Sequence, residues 1–302
     1  MSTYNEAMCE SRPLNQYLVI GFLVSTLGSD YNLLGGRVGK QLTQLRRRKE
    51  AKNGLDALDD RRDQTLIIHY SCESFYDIKD GRTPRVTSIA VRNFATGQTT
   101  SFSIHKSAEQ DGVPISDITD HYDALEKNML DEFFAYVPTV PVQTFVHWNM
   151  RDVNFGFQAI EHRYKVLGGK PVIVDDGRKF DLARALVAIF GVGYVPHGEG
   201  GRLFSTMELN SITAKDALKG KEEAQAFEDG QFVKLHQSTL RKVDVIANIL
   251  ERTLDGTLKT NAKWRDQHGF HPAAAVEFIK EHWVWTLVSI VAVLIGLVAR
   301  IL

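Results

Sequence analysis

The last 20 residues are the feature that most restricts the architecture of this chain. Residues 283–302, WVWTLVSIVAVLIGLVARIL, contain one charged residue, Arg300, and show no polar face. A helix needs about 20 apolar residues to cross the hydrocarbon core of a bilayer. Trp283 and Trp285 stand where aromatic side chains favour the membrane surface, and a soluble helix normally keeps a polar side. The run therefore predicts a C-terminal transmembrane helix, a single-pass tail anchor.

The basic residues around this run predict its orientation. Lys259, Lys263, Arg265 and Lys280 precede the run, and only Arg300 lies near its far end. Because basic residues concentrate on the cytoplasmic side of a membrane helix, we expect the rest of the chain in the cytoplasm. The expected partners are the membrane itself and either a second copy of the chain or other membrane proteins.

Composition limits the ways in which the chain can bind nucleic acid. The 302 residues are 43% hydrophobic and carry a net charge of −1, so nucleic acid would have to be bound by a local patch. The two cysteines, Cys9 and Cys72, are too few for a disulfide framework or a thiolate metal site. They fit a reducing compartment.

Shifts in composition divide the chain into four segments. The divisions are an N-terminal region (1–63), an α/β domain (64–256), a juxtamembrane linker (257–282) and the transmembrane helix (283–302). Residues 17–27 of the first region are apolar but too few to span a bilayer, which favours a buried element. The charged run 36–63 predicts a solvated, partly helical connector. A patch of Arg46, Arg47, Arg48 and Lys49 that binds phosphate or lipid headgroups is the alternative.

Hydrophobic spacing predicts a mixed sheet covered by helices. Strands are expected at 65–70, 86–91, 99–104 and 144–146, and helices at 122–136, 180–190 and 233–254, with short helical pieces in 213–228. A turn with glycine between the second and third runs indicates a hairpin. Residues 191–202 are rich in glycine but lack dinucleotide-binding spacing, which favours a loop. Three antiparallel strands with parallel additions give a mixed-sheet α/β fold.

The stretch from Gln143 to Tyr164 contains the strongest candidate site. A short β-prone run is followed by His147, Trp148 and Asn149, and then by apolar residues at helical spacing. Asp152 is a good capping residue, so the pattern predicts that a helix begins there. Loops after parallel strands converge on one crevice, where α/β proteins place their chemistry.

These elements and acids resemble the DEDD-type 3′–5′ exonucleases of the ribonuclease H-like superfamily over about residues 65–255. Glu73 matches the Glu of the family's first motif, but Ser71 stands in place of its Asp. His147 and Asp152 keep the five-residue interval of the second motif. In the third motif, Arg241 stands five residues after His236, and Asp244 is displaced by three more.

The resemblance implies hydrolysis of phosphodiester bonds with two divalent ions, Mg²⁺ or Mn²⁺, held by carboxylates. The implied catalytic residues are Glu73, Asp152, His236 and Asp244, with Glu73 and Asp152 as metal ligands. Ser71 and Arg241 weaken this set, because one removes a negative charge and the other repels a cation. The candidates to replace the missing acid are Asp77, Glu222 and Glu223.

The same region also suits binding without cleavage. Arg151, Arg241 and Lys242 offer positive charge for phosphate oxygens. His147 and Asn149 complete the expected substrate-binding set, and His147 or His236 is a candidate general base. Two functions thus stay open: a membrane-anchored nuclease acting on nucleic acid or a nucleotide, or an inactive module that senses such a ligand and signals through a membrane helix that oligomerises or perturbs the bilayer. By architecture alone, either suits a bacterial anti-phage defence system.

Overall fold

The computed structural model describes residues 43–74 and 83–263, together with Leu287, Ile290 and Val291. A compact unit extends from Arg47 to Gln267 and holds the sheet and its helices. The expectations for the apolar segment 17–27, for Asp77 and for nearly all of 283–302 lie outside the described residues.

Five strands form one mixed sheet in the order β3-β2-β1-β4-β5. The strands are β1 (Thr65–Cys72), β2 (Val86–Asn93), β3 (Thr99–Ser103), β4 (Thr144–His147) and β5 (Lys179–Asp181). β1, β2 and β3 pair antiparallel, whereas β4 and β5 run parallel to β1. The carboxyl ends of β1, β4 and β5 therefore meet at one edge of the sheet, here called the carboxyl edge.

Helices cover both faces of this sheet. They are α1 (helical over the described residues 43–59), α2 (Ile104–Gln110), α3 (Tyr122–Tyr136), α4 (Phe157–Val166), α5 (Leu182–Phe190), α6 (Gly201–Leu209), α7 (Gly220–Glu228) and α8 (Phe232–Leu254). α8 packs across β1 and β2 on one face.

Alternation along β1 separates two cores. Leu66, Ile68 and Tyr70 join α3 and α4 on one face, in a core rich in phenylalanine. Ile67 points to the other face, where α1, α5, α6 and α8 pack. Because neighbouring side chains of a strand alternate between faces, His69 and Ser71 share the α8 face with Ile67. Polar residues therefore interrupt the core beneath α8.

The structure confirms the mixed-sheet α/β class, the hairpin of β2 and β3, and a helix at Tyr122–Tyr136. The prediction of a single helix at 180–190 is wrong at its start, because residues 179–181 pair with β4 as the edge strand β5. The glycine-rich region is a loop only as far as Gly200, where α6 follows. The short pieces expected in 213–228 are represented by α7, and α2 had no predicted counterpart.

The predicted helix start at Asp152 is also wrong. α4 begins at Phe157, and Asp152 lies in an exposed loop five residues earlier. The Asp152 side chain accepts a bond from the Asn154 backbone N–H at 2.9 Å, which closes a local turn in place of a helix cap. Backbone pairing of Arg151 with Gly156 folds the loop back on itself. Local side-chain bonds of Asp compete with helix formation in this way.

The expected tail anchor is described at three residues only. Leu287, Ile290 and Val291 are helical, and between 44% and 55% of each side chain is exposed. No helix within the described ranges is long and apolar enough to cross a membrane.

Candidate functional site

A row of three serines crosses the sheet beneath α8. Strand register places Ser71 of β1 opposite Ser88 of β2, and Ser88 opposite Ser103 of β3. All three are buried. Buried hydroxyls are usually hydrogen-bonded. Ser71 and Ser88 obtain partners from the helices above them, whereas Ser103 Oγ has none among the described residues.

Thr239 of α8 and Glu223 of α7 supply those partners at the Ser71 end. Ser71 Oγ donates to Glu223 Oε1 at 2.9 Å. Thr239 Oγ1 lies 2.9 Å from Ser71 Oγ, 2.6 Å from Ser88 Oγ and 2.9 Å from the Leu235 carbonyl oxygen. Its single proton can be donated to one of these oxygens at a time, and the connected hydroxyls end on the Glu223 carboxylate.

Lys242 neutralises that carboxylate from within the core. Its Nζ lies 2.7 Å from Glu223 Oε1, and only 6% of the lysine side chain is exposed. The same oxygen accepts from Ser238 Oγ at 3.1 Å. Ser71, Ser88, Glu223, Thr239 and Lys242 are here called the Lys242 cluster. A buried ion pair survives only when further hydrogen bonds satisfy it, as they do here.

His69 lies beside this cluster, two residues before Ser71 on the same face. It is buried, and its Nδ1 has no hydrogen-bond partner among the described residues. Burial lowers the pKa of His69 well below its usual value, and the positive charge of Lys242 lowers it further. The imidazole is therefore neutral at physiological pH.

The donor set of the Lys242 cluster does not fit a divalent metal. In the family that the sequence resembles, an acid stands at the position of Ser71. Here the carboxylate that contacts Ser71 is that of Glu223, and it already binds the Lys242 ammonium group. Mg²⁺ requires oxygen ligands with net negative charge. Among the described residues, no group of three or more His, Cys, Asp or Glu side chains is arranged to hold an ion.

Asp244 does not approach Ser71. It lies five residues beyond Thr239, which is about 7 Å along α8 and on another side of the helix. Its carboxylate pairs with Arg92 at 3.4 Å and with Arg241 at 3.6 Å. Asp244 therefore lies with two arginines, toward the start of β1, and its catalytic role stays a prediction.

Arg241 and Lys242 also fail to form a common phosphate site. Arg241 is half-exposed and pairs with Asp216 at 3.4 Å as well as with Asp244. Lys242 points to the opposite side, into the core. Consecutive helical residues diverge by about 100°, so one ligand cannot use both.

Glu73 and Asp152 lie in separate loops. Glu73 follows β1, and its backbone N–H donates to the Arg85 carbonyl at 2.8 Å. Its side chain accepts a long bond from the Arg85 N–H at 3.4 Å. Asp152 is exposed and bonds within its own loop. Both follow the strands after which the motifs predict them, and neither belongs to a group of three or more possible metal ligands within the part of the chain that the structure describes.

Three of the predicted binding residues do converge, around an acid that the sequence motifs did not single out. Asp181 at the end of β5 forms an ion pair with Arg151 and accepts the Asn149 N–H at 3.3 Å. Arg151 also donates to the Asn149 side chain at 2.8 Å. His147 lies opposite Asp181 in the strand register. These four residues are here called the Asp181 cluster.

Packing of the intervening residues fixes this cluster. Trp148 is buried in the core beneath α8, and Met150 is buried in the core beneath α3 and α4. Asn149 and Arg151 are thereby left at the surface. Asn149 adopts a left-handed backbone with φ of 60°, a conformation that asparagine accepts more readily than other non-glycine residues.

His147 is a hydrogen-bond acceptor inside the turn and not an exposed base. Its Nδ1 accepts from the Met150 N–H at 3.1 Å, so the neutral ring carries its proton on Nε2. Burial lowers the pKa of His147 to about 4, although the nearby Asp181 opposes the shift. The bond fixes the turn that presents Asn149 and Arg151.

His236 belongs to a different environment. Its ring lies 5.0 Å from the ring of His105 on α2, and its Nε2 is buried without a partner among the described residues. Burial lowers the pKa of His236 to about 4, and the charges of His105 and Lys106 add to the effect. His236 bonds to none of the predicted acids that the structure describes.

We predict that His236 makes stability depend on pH. Its pKa is about 4 in the folded protein and near 6.5 when unfolded, so the unfolded chain binds the proton more readily between these values. The contribution of His236 to the free energy of unfolding is fully present above pH 6.5. It is lost as the pH falls toward 4, by up to about 1.4 kcal/mol per pH unit. Urea titrations across this range should show a shallower pH dependence for His236→Gln. An unchanged slope would contradict the prediction.

Neither a family model nor a curated protein sequence matches this chain.

Proposed function

We propose that this chain is a membrane-tethered, non-catalytic module with a ribonuclease H-like fold. In this proposal it recognises a nucleotide or a nucleic-acid end at the carboxyl edge and signals through the helix of residues 283–302. The observation that carries the proposal is the Lys242–Glu223 ion pair beside Ser71. The Lys242 ammonium group lies 2.7 Å from Glu223 Oε1, the oxygen that also accepts from Ser71, and neutralises the charge that would attract a metal ion.

Several features support the other parts of this proposal. Two strands run parallel to the first strand of an antiparallel meander, as the resemblance to DEDD-type exonucleases implies. Glu73 follows the first strand, and His147 ends the fourth strand. The apolar sequence of 283–302 supports the membrane helix, and the exposed side chains of Leu287, Ile290 and Val291 suit contact with lipid.

Arg151 is the proposed contact for a ligand phosphate. Half of its side chain is exposed, and its guanidinium offers the planar donor pair that phosphate oxygens accept. Asp181 holds it in place and also competes for it, because an incoming anion meets the negative charge of that carboxylate.

We predict opposite effects for two substitutions in the Asp181 cluster. Arg151→Gln should weaken binding of a nucleotide or oligonucleotide about tenfold or more, since a charged hydrogen bond contributes about 1.5–3 kcal/mol. Asp181→Asn should strengthen binding, because it removes the competing charge while asparagine still caps α5. The measurement is fluorescence anisotropy with full-length protein in detergent and EDTA.

Arg241→Gln is the matched control, because Arg241 has the same charge but lies on α8 with Asp216 and Asp244. Equal losses from Arg151→Gln and Arg241→Gln would indicate a nonspecific charge effect. Binding that requires a divalent ion, or no binding by the wild type, would contradict the proposal.

A further inference from the structure

We propose that the basic end of α1 binds the phosphate headgroups of anionic lipids and holds the domain against the membrane surface. Ala51, Leu55 and Leu58 are buried in the core beneath α8, so one side of α1 is fixed to the domain. The basic residues Arg46, Arg47, Lys49 and Lys52 are exposed. Packing thus presents these four side chains to the outside on a rigid element.

None of the four exposed basic residues forms an ion pair with a residue that the structure describes, whereas Arg62 just beyond the helix pairs with Asp59 and Glu251. Cations spread over nearly two turns of one helix attract an external anion, and the attraction acts over about 8 Å at physiological salt.

Charge is also segregated along α1. Five basic residues and one acidic residue give 46–52 a charge of +4, and three aspartates give 53–60 a charge of −3. Aspartates in the last turn oppose the helix macrodipole, which favours basic residues there. Helix stability therefore does not explain this order. A surface that attracts anions at one end of α1 and repels them at the other would hold the helix in one orientation on a charged plane.

An anionic membrane is the partner that this chain favours. The net charge of −1 lacks the global basic excess of a protein that binds nucleic acid along its surface. A cluster of basic residues held near the cytoplasmic leaflet attracts its anionic lipids by about 1 kcal/mol for each Lys or Arg. The inference rests on the proposed membrane tether, because the tether would keep α1 close to the headgroups.

The test compares full-length protein on vesicles of phosphatidylcholine alone and on vesicles that also contain phosphatidylglycerol. Hydrogen–deuterium exchange is measured for the 43–59 peptides at low and high salt, and flotation reports whether the protein is membrane-bound. The variant Arg46→Gln, Arg47→Gln, Lys49→Gln, Lys52→Gln removes the charge and keeps helix-favouring residues. Its control removes four exposed lysines elsewhere, at Lys165, Lys170, Lys215 and Lys234.

We expect phosphatidylglycerol to slow exchange in α1 at least about tenfold for wild type and control, and high salt or the α1 variant to abolish the effect. Equal exchange on both vesicles would overturn the inference. So would slowing by an added DNA or RNA duplex but not by phosphatidylglycerol, which would assign the surface to nucleic acid. Flotation tests the membrane tether, and hydrogen exchange in α1 tests the lipid contact. A protein that fails to float on phosphatidylcholine alone would contradict the tether, whatever the exchange result.

Discussion

Replacing Lys242 with methionine should lower the free energy of unfolding by about 2–4 kcal/mol. The substitution keeps the buried methylene chain but leaves the Glu223 carboxylate without its counter-charge. Removing one partner of a buried ion pair typically costs about 3–5 kcal/mol. We expect a somewhat smaller loss here, because 16% of the Glu223 side chain is exposed and water can solvate part of its charge.

A double-mutant cycle separates the ion pair from packing. Adding Glu223→Gln to Lys242→Met should recover most of the loss, because the amide can still accept from Ser71 and Ser238 without a charge. Lys234→Met on the same helix is the matched control, and it should change stability by less than about 0.5 kcal/mol. Urea denaturation of the wild type, Lys242→Met, Glu223→Gln and the double variant supplies the four unfolding free energies of the cycle. If the double variant is as unstable as the sum of its single changes, the pair is not coupled.

Replacing Arg163 with methionine should have a still larger effect, about 3–5 kcal/mol. Arg163 donates to both oxygens of Glu126, at 2.6–3.0 Å, and Glu126 is completely buried. Glu126 Oε1 also accepts the Val86 N–H at 2.7 Å, so the pair fixes the start of β2 beside the carboxyl edge. Loss of the guanidinium would leave a charge in the core with one backbone donor.

The control for Arg163 is Arg184→Met, because the Arg184 side chain is exposed and belongs to no described ion pair. We expect its unfolding free energy to stay within about 0.5 kcal/mol of wild type. Glu126→Gln combined with Arg163→Met should be markedly more stable than Arg163→Met alone. A loss below about 1 kcal/mol for Arg163→Met would show that Glu126 is neutral in the fold.

Local sequence patterns predicted much of the sheet. Alternating and β-branched runs marked β1 to β4, and the apolar spacing of 122–136 matched α3 residue for residue. These elements have strong periodicity, which depends only on near neighbours. β5 was not predicted, because three residues are too few to show a period and the apolar run of α5 follows directly. Asp181 could have been found as a capping residue before that run, since it accepts from the Arg184 N–H.

The site was less predictable because it depends on distant residues. Glu223 reaches Ser71 across 152 positions of sequence, and only the packing of α7 beside α8 brings them together. The sequence marked Glu223 as one of three replacement acids but contained no sign that Lys242 would bind it. The interval from His147 to Asp152 matched a family motif. In the structure, however, the Asp152 carboxylate accepts the Asn154 N–H within its own loop.

These contacts shift the balance between the two functions that the sequence left open. Among the described residues, no group of three or more His, Cys, Asp or Glu side chains is arranged to hold an ion, and the carboxylate that contacts Ser71 binds an ammonium group. The residues that remain together at the carboxyl edge, Arg151 and Asn149, present a guanidinium and an amide at the surface. These groups can bind an anion, and we therefore favour the proposal of recognition without hydrolysis.

The most direct measurement is a cleavage assay with full-length protein in detergent. Single-stranded DNA and RNA, labelled at either end, are incubated with Mg²⁺ or Mn²⁺, and the wild type is compared with Asp152→Ala and Glu73→Gln. We predict no metal-dependent product and no difference among the three proteins. A product that requires the metal and is lost in Asp152→Ala or Glu73→Gln would contradict the proposal and establish a nuclease.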